Sequence, residues 1–179
     1  MELMENVRDG DIRQLARLFE RHHVRLYNFY LRLTGRRDVS EDLVQDVFYR
    51  MLKYRQTYTP EGDFTAWMYQ LARNVHRDRH RKWRHEQSPT NETGEPASAD
   101  PSPPEQLEHQ EHKELLQKAL SRLHADKKEI LILSRYQELP YETIAGLLGC
   151  SVGAVKVRVH RAMKELRHEY FQLAGGNIR

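Results

Sequence analysis

The stretch 86–104 divides this chain in two, because it holds nothing that a folded core could bury. Five of the seven prolines lie in it, and it has no Val, Ile, Leu, Met, Phe, Tyr or Trp. A segment without large apolar side chains cannot offset the conformational entropy that is lost on ordering. We therefore expect two domains, residues 1–86 and 105–179, joined by a flexible linker over 87–104.

Both predicted domains are helical throughout. Within each, apolar residues recur at steps of three and four, which places them on one face of an α-helix. These steps predict helices over 11–33, 38–52, 63–85, 107–123, 130–136, 140–148 and 151–170. The fold class is therefore all-α, with an N-terminal helical bundle and a C-terminal helix-turn-helix domain.

Local signals add detail to the first domain. The run over 11–33 is predicted to bend near His22 and His23, and so to form two helices. Asp38 is predicted to cap the next helix, since its carboxylate can accept hydrogen bonds from the first free amides. Residues 1–10 are acidic and polar and carry no signal-peptide pattern.

The helix predicted over 63–85 has two unlike halves. Its first half carries an apolar stripe that begins at Phe64 and ends at Val75. Its second half is basic, with Arg73, Arg77, Arg79, Arg81, Lys82 and Arg84 opposed only by Asp78. Burying an unpaired charge costs several kcal/mol, so this half is expected to face water or a polyanion. With Asn74 and Trp83 interleaved, it suits a phosphate backbone whose bases are accessible, and a solvated basic face is the alternative.

The second domain ends in a short helix, a turn and a long helix. Pro140 is predicted to open the short helix, Gly149 to form the turn and Ser151 to cap the long helix. The cationic residues of the long helix lie off its apolar stripe: Lys156, Arg158, His160, Arg161 and Lys164. This arrangement is typical of a helix-turn-helix, whose second helix enters the major groove of DNA. An ordinary helical hairpin with a charged outer face is the alternative.

Composition narrows the class of protein further. The formal charge is +3 and the sequence pI about 9.0, but basic residues gather in 73–85 and 156–167 while 86–114 is acidic. That pattern separates two candidate polyanion contacts. A single cysteine, Cys150, excludes an internal disulfide and a cysteine-built zinc site. Because the chain has no long apolar run, we expect a soluble, cytoplasmic protein that does not insert into membranes. We also expect that it needs no metal or cofactor.

Three motifs together resemble one family. They are SEDLVQDVF over Ser40 to Phe48, FTAWMYQLARN over Phe64 to Asn74, and LPYETIAGLLGCSVGAVKVRVHRA over Leu139 to Ala162. In this order and spacing they resemble bacterial RNA polymerase sigma factors of the extracytoplasmic-function (ECF) group. The resemblance implies a non-enzymatic subunit that directs core polymerase to specific promoters and assists strand opening.

The resemblance also assigns the first domain to the family's region 2, which binds polymerase and the minus-ten promoter element. The clamp helices of the largest polymerase subunit would be contacted by Asp42, Gln45, Asp46 and Tyr49. The minus-ten element would be contacted by Asp63, Phe64, Arg73, Asn74, Arg77, Arg79, Arg81 and Lys82. Asn74, with the loop over 57–63, would receive a flipped base of the non-template strand.

The second domain is likened to the family's region 4, which reads the minus-thirty-five element as duplex and meets the polymerase flap. Its DNA contacts would be Lys156, Val157, Arg158, His160, Arg161 and Lys164, with Val157 placed to touch a thymine methyl if it is exposed. Members of the family are commonly regulated by an anti-sigma factor, so the resemblance also implies such a partner.

Two other classes of protein remain as alternatives. A stand-alone helix-turn-helix regulator would use its first domain to bind a ligand or to dimerise, in place of a basic helix that bears an asparagine. An enzyme, such as a nuclease or metal hydrolase, would have to use His76 and His80, which lie one helical turn apart. No clustered pair of carboxylates stands beside these histidines to bind a cation.

Overall fold

The computed structural model describes residues 2–86 and 104–175, and the side chains of 2–83 and 111–175 within them. These residues are helical and contain no strand, which confirms the all-α prediction. They divide into two compact units: the first has residues 2–31 and 36–86, and the second has 32–35 and 104–175. The predicted linker over 87–104 lies outside the described residues except for Pro104, so the domain boundaries stay a prediction.

The first unit is built from four α-helices. They are α1 (Glu2–Arg8), α2 (Gln14–Thr34), α3 (Arg37–Lys53) and α4 (Phe64–Glu86), with a 3₁₀ turn at Arg55–Thr57 before α4. Their apolar stripes meet in one core, and the fully buried large side chains include Met4, Leu26, Phe29, Tyr30, Leu43, Met51, Met68 and Tyr69.

Buried tyrosines tie α2 to the middle of α4. The Tyr30 hydroxyl donates to the Ala72 carbonyl at 2.9 Å, and the Tyr69 ring meets the Phe29 ring edge-on with centroids 5.3 Å apart. Burial raises the pKa of both phenols, so both remain neutral inside the core. The middle of α4 is therefore held against α2 in the core of this unit.

Two local expectations for this unit are wrong, and one helix was not predicted. Residues 14–34 form one continuous helix without a break at His22 and His23. Residues 2–8, for which no helix was predicted, form α1, because Met4 and Val7 are both buried. Asp38 lies inside the first turn of α3, where it accepts a 2.6 Å hydrogen bond from Arg36, and the N-cap residue Arg36 has no side-chain cap.

The second unit is also a bundle of helices. They are α5 (Pro104–Arg122), α6 (Ala125–Leu131), a π-helical turn at Ile132–Tyr136, α7 (Tyr141–Leu148) and α8 (Val152–Leu173). α8 packs against α5, α6 and α7 through a buried stripe of Val155, Val159, Ala162 and Leu166.

The turn between α7 and α8 follows the sequence prediction. Gly149 adopts a left-handed conformation with φ of +61°, which glycine enters without the steric cost that a Cβ brings. The Ser151 hydroxyl then accepts a 3.2 Å hydrogen bond from the amide of Ala154 and so caps α8. These two residues fix the angle at which α8 leaves α7.

Candidate nucleic-acid interface

α3 presents a continuous stripe of polar residues on the side away from its buried face. Asp42, Gln45, Asp46 and Tyr49, spaced i, i+3, i+4 and i+7, are all exposed. Tyr49 is 64% exposed, which is unusual for a large aromatic ring. The helix thus shows the four residues predicted to bind polymerase as one contiguous surface.

The start of α4 is fixed by a cap and by a cluster of aromatic rings. The carboxylate of Asp63 accepts a 2.8 Å hydrogen bond from the amide of Thr65. Phe64 packs against Tyr58, Trp67 and His22 and is only 8% exposed. The ring of Phe64 therefore packs in the core of this unit, as its place in the apolar stripe predicts, and its contact with DNA stays a prediction.

The environment predicted for Arg73 is wrong. It was expected at the start of the solvent-facing basic half, yet it is buried at 8% exposure. It lies in the middle of α4, where Ala72 and Val75 are buried as well. An unpaired guanidinium would be costly there, and Arg73 does interact with other groups of the chain. Arg73 is therefore not part of the exposed basic surface.

Asn74 begins the part of α4 that is open to solvent. Its Oδ1 accepts hydrogen bonds from Arg77 Nη2 at 2.8 Å and from Gln70 Nε2 at 3.4 Å, so both of these contacts lie within α4. The loop predicted to meet Asn74 instead contacts the beginning of α4, where Trp67 Nε1 donates to Thr57 Oγ1 at 3.4 Å. Asn74 lies seven residues farther along, which is roughly 10 Å in a helix.

The basic end of α4 is linked to α3 by ion pairs. Arg79 donates to the carboxylate of Asp42 at 3.2 and 3.3 Å, and Arg50 of α3 pairs with Asp78 of α4 at 2.8 Å. Arg81 reaches Asp78 at 3.5 Å, with its side chain 75% exposed. A predicted polymerase contact, Asp42, and a predicted DNA contact, Arg79, therefore hold each other in this structure.

Trp83 extends this network towards the end of α4. Two guanidinium groups approach its indole, that of Arg36 at 5.6 Å and that of Arg79 at 5.9 Å from the ring centroid. The indole is 37% exposed, and guanidinium groups at these distances are attracted by its π face. Arg77 and Lys82, by contrast, are exposed on the same half of α4.

α8 shows its predicted DNA contacts openly. Lys156, Val157, Arg158, His160, Arg161 and Lys164 are all exposed, and Val157 is 49% exposed despite being apolar. Among these, Val157, Arg161 and Lys164 share the face opposite the buried stripe, because they are spaced i, i+4 and i+7. Within the described part of the chain, no ion pair or side-chain hydrogen bond engages any of the six.

Sequence reasoning missed several residues on one flank of α8. A cavity of about 380 Å³ lies there, lined by Arg135, Tyr141, Lys156, Val159, His160, Met163 and Arg167. The signal that could have found it is the spacing of Lys156, His160, Met163 and Arg167, which places four long side chains on one side of the helix.

Neither a metal site nor a membrane span occurs in the described residues. Within 2–86 and 104–175 there is no group of three or more His, Cys, Asp or Glu residues that could hold a metal ion. No helix in those ranges is apolar over a length that would cross a bilayer.

Comparison with protein families places two matches on this chain. The model of Sigma-70 region 2 matches residues 18–86, and the model of Sigma-70 region 4 matches residues 113–166. The first covers α3 and α4 with their polar and basic surfaces, and the second covers the turn that Gly149 and Ser151 build.

Curated relatives match over most of their length. RNA polymerase sigma factor CarQ of Myxococcus xanthus is 35% identical over 168 residues, which are 92% of this chain and 93% of that protein. ECF RNA polymerase sigma factor EcfG of Rhodopseudomonas palustris is 36% identical over 138 residues, which are 77% of this chain and 75% of that protein.

Solved structures agree with the fold. Sigma factor RpoE of Bartonella quintana, in complex with the anti-sigma factor NepR, superposes with a TM-score of 0.68 at 25% identity, over 86% of this chain and 94% of that one. CnrH, in complex with the cytosolic domain of CnrY, gives a TM-score of 0.69 at 23% identity over 93% of each chain, which bears on the fold alone.

Proposed function

This chain belongs to the family of ECF RNA polymerase sigma factors, and we propose that its two units contact different parts of one promoter. As a sigma factor, it directs core polymerase to promoters and acts in transcription initiation. The observation that carries the proposal is that the two family regions each present an exposed cationic helix, α4 in the first and α8 in the second.

Polymerase docks on the exposed stripe of α3 in this proposal. Asp42, Gln45, Asp46 and Tyr49 offer two carboxylates, an amide and a phenol on one helix face, which suits a partner with basic and aromatic groups. We assign that partner as the clamp helices of the largest polymerase subunit. Gln45 is a useful probe of this surface, because replacing it removes a contact without changing the charge.

The exposed end of α4 binds the minus-ten element as a separated strand. Asn74 recognises a base that has left the stack, and the phosphates are held by the cations that follow it: Arg77, Arg79, Arg81 and Lys82. Asp63 contributes indirectly. Its carboxylate caps α4, and this cap sets the start of the helix and the course of the loop before it. Unpairing a base costs a few kcal/mol, which the contacts of these cations with the phosphates would offset.

α8 reads the minus-thirty-five element as duplex from its exposed side. Val157, Arg161 and Lys164 lie on the face that a major groove would meet, and Lys156, Arg158 and His160 lie towards its edges. Arginine recognises guanine through two parallel hydrogen bonds, and an exposed valine can touch the methyl group of thymine. This assignment is supported by the exposure of these six side chains to solvent.

The chain acts by binding and carries no catalytic centre of its own, and its place of action is the cytoplasm, where the promoter DNA lies. The sigma factor RpoE of Bartonella quintana, which is similar to this chain, is seen with an anti-sigma factor, so we propose that this chain too is held by such a partner until a signal releases it.

Reconstituted transcription tests the proposal. Core polymerase with this chain should start RNA synthesis at discrete positions on genomic DNA fragments, and core polymerase alone should not. Gln45→Ala should weaken the capture of core polymerase in a pull-down while leaving duplex binding unchanged. Identical RNA start sites with and without the chain would contradict the proposed function.

A further inference from the structure

The cavity on the flank of α8 has the make-up of an anion site. Of its seven lining residues, Arg135, Lys156 and Arg167 carry cationic side chains and His160 adds an imidazole ring. None of the lining residues is acidic, and no ion pair engages these cations within the part of the chain that the structure describes. Cations gathered around a concave surface raise the local positive potential, which favours an anionic ligand.

An irregular piece of backbone places Arg135 at this cavity. The chain leaves α6 through the π-helical turn at Ile132–Tyr136, where the Gln137 amide bonds to the Ile132 carbonyl at 2.9 Å, five residues back. Glu138 then takes a left-handed conformation with φ of +53°, which is uncommon for a residue other than glycine. Such turns change the direction of the side chains around them and are frequent at functional sites.

The apolar residues of the cavity define its floor. Val159 is buried and Met163 half-buried, and Tyr141, also half-buried, adds a hydroxyl that can donate a hydrogen bond. At about 380 Å³ the cavity has the size of a small-ligand site. Polar groups therefore surround an apolar base, so a charged group with several acceptor oxygens would be bound from its rim.

We propose that this cavity binds a phosphate group. The inference rests on the proposed function, because its position follows from α8 entering the major groove. Lys156, His160 and Arg167 lie about 80° around the helix from the Val157, Arg161 and Lys164 face. A groove about 12 Å wide holds a helix closely, so a phosphodiester strand runs beside each flank. A small phosphorylated ligand presents the same chemistry and is the second source to be tested.

The first experiment measures duplex binding by the chain assembled with core polymerase. Arg135→Gln and Arg167→Gln each replace a guanidinium group at an exposed position with a shorter, neutral amide. Each should weaken binding about two- to fivefold on every duplex tested, as removal of an exposed ion pair does. The slope of log affinity against log salt should become shallower by about 0.9 for each phosphate that the variant no longer neutralises.

A matched control is available in the same unit. Arg122, 52% exposed, pairs with Glu169 on another side of α8, so Arg122→Gln changes the net charge equally without touching the cavity. Its salt slope should equal that of the parent chain. A slope that is equally reduced in the control would overturn the assignment, because net charge alone would explain the weaker binding.

The second experiment offers a free phosphate compound to the full chain. Inorganic pyrophosphate and ATP are titrated by calorimetry against the parent chain and against Arg135→Gln. Saturable binding that is absent from the variant supports the small ligand as the source, and a reduced duplex affinity alone supports the DNA backbone. If duplex affinity, salt slope and pyrophosphate binding all match the parent, the cavity is not a phosphate site.

Failure of the proposed function would look different. If α8 did not read sequence, the parent would bind all duplexes alike, and Arg161→Ala would not change any preference. The salt slopes of Arg135→Gln and Arg167→Gln would still report on the cavity in that case. Sequence preference and salt slope therefore test the two statements separately.

Discussion

The cationic residues of α4 and those of α8 are of similar types, but they differ in the groups with which their side chains interact. On α4, Arg79 is held by Asp42 and lies beside Trp83, and Arg77 is bonded to Asn74. On α8, Arg161 and Lys164 extend into solvent, with no ion pair to any residue that the structure describes. One helix has its basic groups engaged with its own unit, while the other presents them freely.

This difference fits the two forms of DNA that the units are proposed to bind. A duplex offers its phosphates and groove edges at once, so open side chains can meet it directly. A separated strand appears only after opening, and the α4 cations must exchange their internal partners for its phosphates. Because exposed ion pairs contribute only about 0–1 kcal/mol each, that exchange is inexpensive. In this proposal the pairs hold the cations of α4 until a separated strand is present, and they reduce the affinity for that strand only slightly.

The largest expected effect tests whether the two units are separate enough to be compared. Leu43 is fully buried in the first unit and Leu131 fully buried in the second. Leu43→Ala should lower the free energy of unfolding by about 2–5 kcal/mol, because it removes buried methyl groups and leaves a cavity. Its matched variant, Leu131→Ala, should do the same in the other unit.

Calorimetry on the full chain checks this pair of variants. Each should shift one unfolding transition and leave the other in place. A single transition that shifts equally in both variants would mean that the units unfold together, and the contrast between them would lose its structural basis.

The next largest effect is expected on α8, whose cationic side chains are exposed. Arg161→Ala should weaken binding of the polymerase complex to its preferred duplex by about 1–3 kcal/mol if Arg161 contacts guanine through two hydrogen bonds. It should also relax the preference at that base pair, which competition between duplexes that differ there can measure. Arg122→Ala, which removes an arginine away from the DNA face, is the control. A uniform reduction of affinity on all duplexes would assign Arg161 to the backbone instead.

A smaller effect is expected at Asn74 of α4, the helix whose polar side chains are bonded within their own unit. Asn74→Ala should leave duplex binding unchanged and should weaken capture of a single-stranded minus-ten oligonucleotide by about 1 kcal/mol, the usual net contribution of a hydrogen bond. Arg77→Ala is the matched control for the bond inside α4, since it breaks the same 2.8 Å contact and keeps the asparagine.

Fluorescence from a base analogue placed in the minus-ten element can follow strand opening in these two variants. Arg77→Ala should retain the base-specific signal and lose affinity in a salt-dependent way. If both variants lose the same base-specific signal, the role belongs to the pair and not to Asn74.

The sequence predicted those features whose cause is local. Gly149 and Ser151 were assigned from the chemistry of a left-handed turn and of a helix cap, and both act within three residues of themselves. The exposed stripe of α3 followed from helical spacing in the same way. Membership of the family was visible because three motifs keep their order along the chain.

Features that depend on a third element could not be predicted from local patterns. Arg73 is buried because the middle of α4 is enclosed by its neighbours, as the bond from Tyr30 to Ala72 shows. The π-helical turn that positions Arg135 depends on backbone hydrogen bonds, and no pattern of residue types in the sequence predicts them. The pairing of Arg79 with Asp42 joins residues that are 37 positions apart, so charge counting along α4 missed it.

The smallest expected effect is also the sharpest test of the comparison, since it would make α4 resemble α8. Asp42→Asn removes the partner of Arg79, in a pair whose side chains are 61% and 27% exposed, so its effect on stability should be under about 1 kcal/mol. Asp46→Asn is the matched control: it makes the same change of charge on the same face of α3 but leaves Arg79 paired. With the chain alone, without polymerase, Asp42→Asn should bind single-stranded DNA up to about fivefold more tightly than Asp46→Asn, because Arg79 is released. The gain should vanish at high salt, where the original pair is screened. Equal affinities at low salt would show that the ion pair does not restrain Arg79, and the proposal that such pairs hold the cations of α4 would have to be abandoned.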